Sequence, residues 1–266
     1  MSVRVKKMAG PRTVIVLIVA RAGDTAVQIA GVDEATGAWV RLVGQAGEHA
    51  LSLNALVLSD GSRARVLDTL RFAAITPQPR LPFVEDVVPD GQVSQVGEVG
   101  EARPTRTGEI EERALSRTLS EIAVPHLDTL LPGGKRVLTT KDFQPGGRQR
   151  SVALLRPDEL KHLHFSWQGD DVRVGVSFRH RSQAYGGQTG MECPDLKLRA
   201  FARDALKKAG TLSLTLDAKA CYNRFACGRI YLTIGLIESA EGTFWPQVLG
   251  FHPIRNYAAT IDYARL

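Results

Sequence analysis

The alternation of apolar and polar positions is the first signal in this chain. Val14–Ala20 (VIVLIVA) is a continuous, mostly β-branched run, the pattern of a central strand buried on both faces. Ala26–Asp33 and Ala38–Val43 flank Glu34-Ala35-Thr36-Gly37, and Gly37 supplies the positive φ of a tight connection, so the pair predicts a β-hairpin. Leu53–Leu58 is a further apolar stretch, Asp60-Gly61 marks a turn, and Val66–Ile75 predicts a strand stopped by Pro77 and Pro79. Short strands in close succession with little helix predict a small barrel. From Leu81 to about Gly108 the chain turns to Pro, Gly, Val and acids without a period, which predicts a linker or long irregular connection. Glu109–Leu131 regains helical spacing through Ile110, Leu115, Leu119, Ile122 and Leu127, with Pro125 placed to break or kink it.

A second β-rich stretch begins near Lys135. Ser151–Leu155, Leu163–Gln168 and Val172–Arg179 are strand candidates, with Gly169-Asp170-Asp171 as the turn between the last two. Val172, Val174, Val176 and Phe178 alternate with Arg173, Gly175, Ser177 and Arg179, so one face is buried and the Arg-bearing face looks outward. Asp195–Ala209 predicts a helix closed by Gly210. Thr211–Leu216 and Arg229–Ile237 are again strand-like, and the tail carries Trp245, Phe251, Tyr257 and Tyr263. The predicted organisation is a β domain over 1–84, an acidic, partly helical connector over 85–134, and a basic β domain over 135–266 with an inserted helix and aromatic tail. The fold class expected is mainly β with some α.

Charge sharpens the division. Residues 1–134 hold 14 Lys and Arg against 16 Asp and Glu, a balance of −2, whereas residues 135–266 hold 20 against 12, a balance of +8. A basic domain attracts polyanions by counterion release and long-range steering. Residues 85–128 carry ten acids against four Arg. No apolar run reaches the roughly 18 residues of a membrane helix. Lys6 and Lys7 precede the first apolar run, but Arg21 and Asp24 follow too soon for a signal peptide, so a buried first strand is expected. Cys193, Cys221 and Cys227 are an odd, sparse set, which predicts buried reduced thiols, no metal and a cytoplasmic setting.

The order of pieces resembles the dual OB-containing domain family of bacterial proteins. The resemblance is carried by the initial apolar strand, "QIAGVD…GAWVRLV" (Gln28–Val43), "SVALLRPDELKHLHFSWQGDDVRVGVSF" (Ser151–Phe178) and "GRIYLTIGLIE" (Gly228–Glu238). It implies two OB-like barrels and nucleic-acid or partner binding, and it transfers no catalytic residues.

The candidate nucleic-acid contacts follow from charge and spacing. Arg173, Arg179 and Arg181, with Lys161 and His164 on the neighbouring strand, form the densest basic feature. Phe165 and Trp167 are interleaved with them, either as faces for stacking bases or as core residues. Lys135, Arg136, Arg148 and Arg150 lie on Gly-rich segments able to adapt to phosphates. Trp39 and Arg41, two apart on one face of the hairpin, complete the set. No phosphate-cradling loop of the GxxxxGK[ST] or GxGxxG type is present, so no nucleotide cofactor is expected. His162 and His164 share a face and could serve as a general acid and base in a metal-independent RNA-processing enzyme. The readings left open are a non-catalytic nucleic-acid-binding protein, a protein-interaction adaptor in a bacterial defence or mobile-element system using the acidic segment or the tail, and that small enzyme.

Overall fold

The structure is a computed structural model, described over residues 11–22, 26–44, 50–73, 75–89, 105–109, 112–143, 150–239, 242–255 and 257–263. The chain divides into two compact units. The first comprises Met1–Ile110 with Pro145–Ser151 and Leu266, and the second comprises Glu111–Gln144 with Val152–Arg265.

The first unit is built on one eight-stranded sheet. Its strands are β1 (Arg12–Arg21), β2 (Ala26–Asp33), β3 (Trp39–Leu42), β4 (Leu51–Ser52), β5 (Asp68–Phe72), β6 (Ile75–Pro77), β7 (Asp86–Pro89) and β8 (Thr105–Glu109), in the order β6-β7-β3-β2-β1-β5-β8 with β4 also on β2. Val14–Ala20 is buried throughout, as the apolar run predicts. A register shift between Val16 and Ile18 bulges β1 against β2, a device that bends a sheet on itself. The close approach needs Gly31, where a Cβ would lie 2.0 Å from the Ile15 carbonyl oxygen. The hairpin turn forms because Asp33 Oδ1 accepts from the Ala35 and Thr36 amides and the Thr36 hydroxyl, while Gly37 sits at φ 67°.

Two expectations for this half are corrected. The strand expected over Val66–Ile75 is two shorter ones, β5 and β6, and the first starts only at Asp68, after Leu67 at a positive φ of 76°. The apolar stretch Leu53–Leu58 opens with a single 3-10 turn over Leu53–Leu56. Residues 81–89 are not linker. They supply buried Phe83 and strand β7, which runs parallel to β3 and antiparallel to β6. The signal is hidden in the acids: Glu85 and Asp86 are buried and belong to the fold, not to a solvated acidic surface. Residues 90–104, the middle of the expected connection, lie outside the described residues.

Among the described residues the second unit holds two sheets and three α-helices. Helix α1 (Glu112–Ile122) buries Leu115 and Leu119 and stops short of the expected Leu131. Beyond it Val124 N–H donates to Leu154 O, one residue before Pro125. One sheet has the order β10-β16-β17-β9, from β9 (Leu138–Thr139), β10 (Val152–Leu155), β16 (Ile230–Ser239) and β17 (Thr243–Pro253). The other runs β13-β12-β11-β15, from β11 (Glu159–Gln168), β12 (Asp171–His180), β13 (Gln183–Tyr185) and β15 (Ser213–Asp217), with β14 (Met191–Glu192) on β12.

Helix α2 (Leu196–Ala209) forms where predicted. Asp195 caps it by accepting from the Lys197 and Leu198 amides, and Gly210 ends it in the left-handed region at φ 62°. Leu196, Leu198, Ala202, Ala205 and Leu206 make its buried face. Helix α3 (Ala218–Arg224) follows β15 directly, capped by Asp217. Part of the aromatic tail is core-forming: Phe251 and Tyr257 pack about Phe225 at 5.1 and 5.0 Å, and Tyr257 meets Phe201 at 5.7 Å. Among the described residues no helix is long and apolar enough to cross a membrane.

Candidate nucleic-acid interface

The outward face of β15, β11 and β12 collects most of the polar side chains that the sequence places on strands. A bulge between Leu160 and His162 resets β11, so that beyond Lys161 the residues Leu163 and Phe165 point inward and His162, His164 and Ser166 point outward. Ser166 pairs with Arg173 on β12 and Ser213 on β15, His164 with Gly175 and Thr215, and His162 with Ser177 and Asp217. His164 Nδ1 lies 3.0 Å from Thr215 Oγ1. His162 Nε2 lies 2.9 Å from the Gln188 carbonyl, an acceptor, so that nitrogen donates.

Arg173 and Arg179 are exposed on the predicted face of β12, but the face between them is covered. Gly175 and Ser177 are buried beneath residues 186–190. The Ser177 hydroxyl donates to Gly187 O at 2.6 Å, and a Cβ on Gly175 would stand 1.8 Å from Thr189 O. Gly186, Gly187 and Gly190 take φ of 90°, 58° and 84°, which lets the loop lie flat on the strand. The interface is therefore two patches rather than one continuous stripe.

At one end stands Arg173, beside Ser166, Ser213 and the His164–Thr215 pair. Among the described residues it has no ion-pair partner. At the other end, Glu159 binds Lys161 Nζ at 2.6 Å and Arg179 Nη2 at 3.0 Å. The Lys161 hydrogen bond, above all, holds the Glu159 carboxyl below its usual range. These two cations are partly neutralised where they stand. Arg181, at φ 47°, follows in the turn, its amide donating to Asp158 Oδ2 at 2.6 Å. His180 between them is buried, with Nε2 3.2 Å from Pro125 O.

The remaining sequence candidates are distributed differently. Lys135 pairs with Asp142, and Arg136 donates to Ala184 O at 3.2 Å; both belong to the second unit. Arg150 is exposed but belongs to the first unit, and Arg148 lies outside the described residues. Trp39 and Arg41 are corrected. Arg41 is 4% exposed, with Nε and Nη2 on the two Asp86 oxygens at 2.6 and 2.9 Å and its guanidinium 3.8 Å above the Phe83 ring. Trp39 is 8% exposed. Both are committed to the first sheet and present nothing to a ligand.

The aromatic expectation also divides. Phe165 is fully buried, edge-on to Phe201 at 6.2 Å, and Trp167 is half-buried on the inward side. Rings on the outward face of β11 are the imidazoles of His162 and His164. The exposed aromatic is Trp245 on β17, at 47%, which the sequence pattern groups only with the tail. The polar residues of β15 are absent from the sequence candidates as well. Their signal is Ser-Leu-Thr-Leu-Asp, a strict alternation that places Ser213 and Thr215 on one face.

The second unit also buries several polar groups. Asp195 accepts from the Phe251 amide at 3.0 Å besides capping α2, and burial pushes its carboxyl up to about 6. His252 meets Thr233 Oγ1 at 2.8 Å, and burial, with the Lys197 charge second, pushes it down to about 3. Cys193, Cys221 and Cys227 are buried and free, and burial pushes the Cys221 thiol up to about 12. Among the described residues no group of three His, Cys, Asp or Glu is placed to hold a metal ion.

A sequence model of the dual OB-containing domain family matches residues 13–248. No curated protein matches the chain.

Proposed function

The chain belongs to the dual OB-containing domain family, and from that premise we propose that it is a non-catalytic nucleic-acid-binding protein that engages a single strand of DNA or RNA with its basic second unit. The observation that carries the proposal is the outward face of β15, β11 and β12, where Arg173, without an ion-pair partner among the described residues, stands among hydroxyl and imidazole groups. OB folds bind single strands by joining a positive groove to stacking rings, with backbone phosphates neutralised by Lys and Arg. Here Arg173 and Arg181 are the phosphate contacts. His162 and His164 present ring faces to bases, and Ser166, Ser213 and Thr215 supply hydroxyls for phosphate or sugar. Lys161 and Arg179 are held in reserve by Glu159.

Filter binding of single- and double-stranded oligonucleotides at two salt concentrations tests the reading. Affinity for single strands should fall with salt, and Arg173→Ala with Arg181→Ala should reduce the logarithmic salt slope by roughly two units, about one per lost phosphate contact. Glu159→Gln should act in the opposite direction, tightening binding by releasing two cations. Absence of salt-dependent binding by the wild type, or a double variant that binds unchanged, would refute the proposal.

A further inference from the structure

The reverse side of β15 carries a second, unrelated feature. Helix α2 packs against β12 and β11, the inner strands of the sheet, and leaves the inward face of the edge strand only half-covered. The result is an open groove of about 580 Å³ between β15, the end of α2 and α3. Its floor is Leu214 and Leu216 with the small side chains of Ala205, Ala209 and Ala220. Its charged lining residues are both cations, Lys208 and Arg224. Leu212, just before the strand, is 79% exposed, the most exposed large apolar side chain among the described residues.

The backbone of β15 is also open along this side. Among the described residues β11 is its one ladder partner. Trp167 N–H donates to Leu212 O at 3.0 Å, so the two-residue alternation of an antiparallel ladder turns the backbone groups of Leu214 and Leu216 toward β11 and those of Ser213 and Thr215 outward. The Thr211 hydroxyl meets both Ser213 groups, donating to its carbonyl at 2.9 Å and accepting from its amide at 3.4 Å. Asp217 leads into α3 as its cap. Thr215 is left presenting an amide and a carbonyl to an incoming chain. An exposed edge with an apolar flank is a liability that proteins normally blunt or cover.

We infer that this groove docks an extended acidic segment of a partner protein, which adds to β15 as a strand. Its backbone pairs with Thr215, an apolar side chain enters the space above Leu214 and Leu216, and carboxylates on either side meet Lys208 and Arg224. Main-chain pairing gives such a site its affinity, and the pocket and charges give its selectivity. The inference is independent of the nucleic-acid reading, because the groove lies on the opposite face of the strand.

A fluorescein-labelled peptide Asp-Ser-Leu-Ser-Asp-Ser, which sets one Leu and an Asp two residues to either side on the same face of a strand, is the probe, followed by anisotropy with the full chain, and by amide shifts in a ¹⁵N spectrum. Expected are a dissociation constant in the range of about 10–100 µM and a shifted Thr215 amide. Ala209→Trp fills the groove from an exposed position and should weaken binding by at least about tenfold while leaving oligonucleotide binding unchanged. Lys208→Glu with Arg224→Glu should favour the same peptide with Lys in place of both Asp residues instead. The inference is overturned by an absence of binding up to about 1 mM. It is equally overturned by equal binding of the two peptides to the wild type, by full affinity in Ala209→Trp, or by concentration-dependent dimerisation that Ala209→Trp abolishes, which would make the occupant a second copy.

Discussion

Replacing His252 by glutamine should change how the second unit responds to acid, because His252 and Asp195 titrate in opposing senses over nearly the same range. His252 is depressed from 6.5 to about 3, so its contribution is intact above pH 6.5 and is lost as pH falls toward 3: the unfolded chain takes up a proton that the folded one refuses. Asp195 is raised from 3.8 to about 6, so its burial is least costly below pH 3.8, and stability falls as pH rises through 6. Each proton difference is worth about 1.4 kcal/mol per pH unit. Between pH 7 and pH 4.5 the histidine therefore removes about 3 kcal/mol and the aspartate restores about 2 kcal/mol, leaving the pair nearly flat. The glutamine amide would keep a hydrogen-bonding group toward Thr233 and abolish the proton uptake. Urea unfolding followed by the fluorescence of Trp167 and Trp245, both in this unit, gives the two free energies at each pH. The stability deficit of His252→Gln relative to wild type should shrink, or reverse, by about 3 kcal/mol between pH 7 and pH 4.5. A deficit that is the same at both pH values would refute the opposed-titration argument.

Arg41→Ala would leave the buried Asp86 carboxylate only the longer Arg80 contact at 3.8 Å and should destabilise the first unit by about 3 kcal/mol, seen in the unfolding signal of adjacent Trp39, with no change in the salt slope of oligonucleotide binding. A weaker salt slope with unchanged stability would return Arg41 to the interface. Gly175→Ala places a methyl group against Thr189 O and should lift residues 186–190, which hydrogen exchange would report as lost protection of that loop. Unchanged protection would mean that the loop does not depend on the missing side chain.

The sequence exposed most of what regular period and capping control. The alternation in Val172–Arg179, the Asp195 cap with its Gly210 stop, and the Gly37 hairpin each appear in the structure at or within a residue or two of the expected place. What it concealed depends on pairing between distant positions. Arg41 and Asp86 are 45 residues apart, and neither reads as a core residue until the other is seen opposite it. The same pairing turns an apparent acidic linker into a strand parallel to β3 in the first sheet. On β12 the prediction of an outward Arg face is right in parity and incomplete in access, since nothing local to Arg173 and Arg179 announces that a glycine loop will settle between them.

Glu159 decides how much of the basic charge is available to a ligand. A net positive count treats Lys161 and Arg179 as equal to Arg173, yet one carboxylate lies within 3.0 Å of both. Exposed ion pairs of this kind contribute little to stability, so the pair of contacts cannot be explained by what it does for the fold. Its larger effect is on competition: a phosphate reaching Lys161 or Arg179 must displace Glu159 before it gains their charge. On the proposed function, such a site would discriminate by local density of negative charge, admitting a phosphodiester backbone that presents several phosphates together and turning away isolated anions. Arg173, with no such competitor, would make first contact, and the Lys161–Arg179 patch would join only as a strand of sufficient length spans the roughly 20 Å that separates residues six apart on an extended chain.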